Sequence, residues 1–150
     1  MGTLSDFVVA PKSAGNEVLK LSSGATSHFP GFQSNKWSSF ELSALYSLLA
    51  NNAETLDGWD DKIEEFEEGA IPQSDEDGPW VYMFPEAFTQ VLSGAEEDLW
   101  QQAANKWVSI EEFEFTCQEQ THVKQFAEDL RGLAHQAIES DQAIFLWISL

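Results

Sequence analysis

Eleven of the chain's 26 carboxylates fall within residues 54–77, where Lys62 is the single cation. Carboxylates at that density could attract a cationic surface, hold a metal ion or, as a close pair, exchange protons with a substrate. The recognition reading places Asp57, Asp60, Asp61, Glu64, Glu65 and Glu68 on the outer faces of an acidic helix. It continues through Asp75, Glu76 and Asp77 in the loop beyond, with Trp59 among the acids as an aromatic anchor for a partner. The competing reading is a solvated helix face with Trp59 turned into the core.

The metal reading fails on spacing. A calcium loop needs oxygen ligands at alternate positions and a bidentate Glu at the twelfth, whereas counting from Asp75 puts Pro79 at the fifth. His28, His122 and His135 are scattered, and Cys117 with His122 lacks a third ligand or an orienting base. No metal or cofactor is therefore expected. There is no Gly-rich phosphate loop and no Gly-Xaa-Ser-Xaa-Gly turn, and Arg131 is the only arginine. A catalytic carboxylate pair is defined by separation in space, so nothing in the sequence assigns catalysis.

The net charge of −19 narrows the partners. Six Lys and one Arg, scattered along the chain, cannot supply the clustered cations that nucleic acid requires. An anionic membrane would repel the same surface. A basic protein is the partner class that remains, and solubility alone is the explanation that competes with it. The leading expectation is a small protein-binding or inhibitory module of the bacterial immunity type. A second is a DNA mimic occupying a nucleic-acid-binding protein. A third is an enzyme with a carboxylate-based site in an aromatic-lined pocket.

These residues need elements to hold them. At 150 residues, with 43% apolar content, 11 Phe and 6 Trp, the chain can bury one aromatic-rich core without staples. One cysteine and no basic-apolar leader suggest a reducing, cytoplasmic setting. No apolar run is long enough to span a membrane. Monomer and dimer are both compatible with the composition.

Residues 1–36 read as a loop-rich part in which Phe7–Val9 and Val18–Leu21 pair as a hairpin, with His28–Phe32 a loop. Ser38 and Glu41 form a capping box ahead of Leu42, Leu45, Tyr46 and Leu49 at helical spacing. The acidic helix runs from about Leu56 to Phe66, with Trp59, Ile63 and Phe66 on one stripe. Residues 73–79 form a surface loop. Trp80–Phe84 reads as a strand, and helices follow over about 85–92, 96–108 and 121–138. Phe113, Phe115 and Cys117 alternate with polar residues at strand period. Ala143–Leu150 is apolar without alternation, the mark of a strand buried on both faces, and should pair beside Trp80–Phe84. The fold class is a mostly helical α+β single domain, with four or five helices on a small sheet that includes the C-terminal strand.

Overall fold

Alternating and continuous apolar runs meet in a four-stranded antiparallel sheet. In the computed structural model, which describes residues 4–20, 26, 28–35, 39–72, 79–110 and 120–149, the strands are β1 (Leu4–Ala10), β2 (Gly31–Asn35), β3 (Trp80–Met83) and β4 (Ala143–Ser149). Their order is β2-β1-β4-β3, so β1 and the C-terminal β4 are central. That position explains the composition of β4. Ile144 and Leu146 face one core while Phe145 and Trp147 face the other, and all four are buried. The expected partnership with residues 80–84 is present, with Val81 opposite Trp147 and Met83 opposite Phe145.

The described residues form six helices: α1 (Gly15–Leu19), α2 (Ser39–Ala50), α3 (Trp59–Glu67), α4 (Glu86–Gly94), α5 (Glu97–Val108) and α6 (Gln120–Glu139). Helices α2 to α6 share a large core with one face of the sheet. The short α1, with Phe29 and Ile71, covers the other face over Val8, Val81, Phe145 and Trp147. A chain of rings fixes the larger core. Phe7 stacks on Phe32 at 5.3 Å and meets Phe126 at 5.2 Å, while Phe84 stacks on Phe88 at 5.2 Å and meets Phe66 edge-on at 5.0 Å. Aromatic pairs at such spacings contribute about 0.5–1.5 kcal/mol each beyond the area they bury.

The N-terminal hairpin needs correction. Val18 and Leu19 lie in α1, and β1 instead pairs with β2, Phe7 opposite Phe32. Short apolar runs do not distinguish strand from helix, and here both sides of β1 are already taken by β2 and β4. Val18 is buried against the remaining face as one turn of helix. The turn residue Gly31 opens β2 rather than staying in a loop. It must be glycine because a Cβ there would lie 1.9 Å from the Phe7 carbonyl oxygen.

Helix α2 also departs from the expected single stripe. Residues 42–49 are buried all round, with α3, α4 and α5 packed about them. The small Ser43 and Ser47 allow this close approach, and the Ser43 hydroxyl donates to the Lys62 carbonyl at 3.3 Å. Ser38, the loop 73–78 and the alternating run Phe113–Cys117 lie outside the described residues. Among the described residues, no helix is long and apolar enough to cross a membrane.

Candidate functional site

Helix α3 begins where Gly58, at φ 81°, turns the chain in the left-handed region that glycine enters without a Cβ penalty. Four inward residues then seat it. Phe66 is buried, and Trp59, Lys62 and Ile63 are partly buried. The Trp59 indole N–H donates to the Phe40 carbonyl at 3.1 Å, and the two rings lie 4.9 Å apart. The expected anchor is thus fastened to the start of α2, beside a Phe40 ring that is 42% exposed.

The outer face is acidic. Asp60, Asp61, Glu64, Glu67 and Glu68 are exposed, and at about 100° per residue they fall within an arc of about 120°. Asp57 and Glu54 are exposed just ahead of the helix. Glu65 does not join them, because it accepts the Tyr46 hydroxyl at 2.9 Å. Burial first, then Glu65, pushes the Tyr46 hydroxyl well above its ordinary pKa. Lys62 is drawn the same way, 3.8 Å from Glu65 and 4.5 Å over the Tyr46 ring. The cation of the acidic segment therefore points to the inner edge of α3 and leaves the outer arc negative. Asp75, Glu76 and Asp77 lie outside the described residues.

Helix electrostatics explains only part of this face. Asp60 and Asp61 in the first turn complement the helix dipole. Glu67 in the last turn and Glu68 at the C-cap oppose it, and no basic residue offsets them there. Asp60–Glu64, Asp61–Glu65 and Glu64–Glu68 are like-charge i,i+4 pairs, which weaken a helix. The acids are thus held at a local cost.

A second feature gave no sequence signal. Lys12, after β1, lies 3.2 Å from Asp141 and 3.7 Å from Glu86 at the start of α4. Asp141 first, then Glu86, raises the Lys12 pKa. The three line a cleft of about 260 Å³ with Phe84, Thr89 and Ile138, and among the described residues its lining holds no Trp or Tyr. Elsewhere, Arg131 lies over the Trp100 ring at 5.1 Å and donates to Glu97 at 2.8 Å and to the Ala95 carbonyl at 3.1 Å. The Arg131 bond, and a smaller one from Gln101, hold the Glu97 carboxyl below its usual range.

Of the histidines, His135 lies 3.0 Å from the Ser93 hydroxyl. Cys117 is outside the described residues, as is the side chain of His122. Among the described residues, no group of three or more His, Cys, Asp or Glu could hold a metal ion. Comparison of the chain with protein-family models, with curated proteins and with solved structures gives no match.

Proposed function

We propose that this protein is a binding module whose α3 face engages a basic protein, in the manner of a small inhibitor. The observation that supports it is the inward turn of Lys62 onto Tyr46 and Glu65. It leaves Asp57, Asp60, Asp61, Glu64 and Glu68 facing solvent together. Such a face accelerates encounter with a cationic surface and confers salt dependence. Its acids are kept against the helix's own electrostatics, a pattern found where function overrides local stability. A duplex mimic would need a longer stripe, since nine helical residues extend about 13 Å.

The experiment separates a face from mere charge. A fluorescent Lys/Arg-rich peptide is titrated against the wild type and two variants, each removing four negative charges. One carries D60N, D61N, E64Q and E68Q. The other carries E96Q, D98N, E128Q and D129N. Loss of about tenfold in affinity in the first and under about threefold in the second is expected, with binding weakening as salt rises. Equal losses in both would reduce the face to bulk charge and overturn the reading.

A further inference from the structure

The cleft at one end of the sheet is built by residues remote in sequence: Lys12 leaves β1, Glu86 opens α4 and Asp141 precedes β4. We infer that it is a binding site for a small organic cation, a primary ammonium on an apolar stem. Size, floor and charge each support this. A cavity of about 150 Å³ takes benzene, so about 260 Å³ accepts one ring or a short alkyl chain. Met83 and Ile138 supply apolar walls above the buried Phe84, and Ile138 is 44% exposed at the rim. Thr89 lies buried beneath the cleft, its hydroxyl donating to the Pro85 carbonyl at 3.3 Å.

The rim carries two carboxylates against one ammonium. An anion drawn to Lys12 would meet Glu86 and Asp141 as well. A cation replaces Lys12 between them, and Lys12, with 47% of its side chain exposed, swings into water at little cost. The backbone that carries Asp141 is fixed, while its side chain is 93% exposed and, among the described residues, reaches only Lys12. That backbone sits at φ 54°, held by the Asp141 N–H on the Ile138 carbonyl at 3.3 Å and the Gln142 N–H on the Ala137 carbonyl at 2.8 Å. Lys12 acts as a tethered competitor for the same two groups.

Phenethylamine is titrated into the full chain by heteronuclear NMR and calorimetry, with 3-phenylpropionate as the anionic counterpart. The amine should bind with a Kd of about a millimolar, as its few heavy atoms allow, and shift the amides of Phe84, Ile138 and Asp141. Lys12→Ala should tighten binding several-fold. Glu86→Gln with Asp141→Asn should weaken it about tenfold or more, and Asn tolerates the left-handed backbone at 141. Thermal melting checks that the variants are folded. Nα-acetyl-lysine methylamide distinguishes a free amine from a lysine side chain as the source of the same ammonium. The inference is overturned if the carboxylate binds instead, if Lys12→Ala weakens the amine, or if neither ligand saturates these resonances by about 20 mM.

Discussion

Replacing Glu68 by lysine should make this protein more stable while making it a poorer binder. Glu68 caps the C-terminus of α3, its N–H bonded to the Glu64 carbonyl, in a helix with no basic residue in its last turn. The substitution converts Glu64–Glu68 from a repulsive pair into a favourably ordered Glu-to-Lys pair, a change of about 0.4–1 kcal/mol. It also exchanges an anion for a cation at the negative end of the dipole, about 0.6–2 kcal/mol before screening. Exposure at the helix end places the sum near the low end, about 1 kcal/mol in dilute buffer. For a chain of 150 residues that is a rise in Tm of about 3–4 °C. Denaturant unfolding should show a higher midpoint at unchanged slope, since compactness is unaltered. In about 0.5 M salt, where the screening length is near 4 Å, the gain should fall below half. Affinity for the basic peptide should drop in the same variant. A Glu68→Lys protein that is no more stable at low salt would remove the tension from which the recognition face is argued.

Other substitutions test the start of α3, the core and the Arg131–Glu97 pair. Gly58→Ala should destabilise by about 1–2 kcal/mol, read by denaturant titration, because the left-handed turn ahead of α3 strains a Cβ although no atom lies within 4 Å of it. Trp107→Phe should cost about 2–3 kcal/mol. It leaves a cavity at a fully buried position beside Phe126 and strips the Glu41 carbonyl of its 2.8 Å indole donor. The Glu97 carboxyl, titrated by NMR, should have its midpoint below the usual range near pH 4, and Arg131→Met should return it upward. Because the folded pKa is depressed, the stability from that pair is complete above the unfolded midpoint and is lost as pH falls through the folded one.

Much of the fold could be read directly from the sequence, for identifiable reasons. Ile144–Trp147 lack alternation because β4 is central and covered on both sides. Helix α6 kept its spacing because one face of it lies on the core, with Phe126, Leu130, Ala134 and Ala137 buried. The misreadings came where local pattern was too short to choose. Val18 and Leu19 suit a strand or a turn of helix equally, and long-range pairing of β1 with β2 and β4 settled the matter. The eight buried residues of α2 read as a stripe because Ser43 and Ser47 look polar, yet their small size is what lets α3 and α5 close over them.

The two sites differ in legibility because they are made differently. The acidic face is local, so its members are neighbours on one helix, and only the inward turn of Glu65 and Lys62 required coordinates. The cleft is topological. Antiparallel pairing of β1 with β4 sets Ala10 opposite Ala143, which brings Lys12 to Asp141 across the sheet end. Pairing of β3 with β4 places Phe84 and the start of α4 at that same end, which adds Glu86. No spacing rule connects residues 12, 86 and 141, so composition could register these charges only as part of the excess of acid. Their meaning lies in the local ratio of two carboxylates to one lysine. The same imbalance recurs on α3, where one lysine is turned inward and the surrounding acids face water. The net charge of −19 is therefore a poor summary of the molecule: at both places the position of a single lysine determines which carboxylates are paired within the chain and which face water.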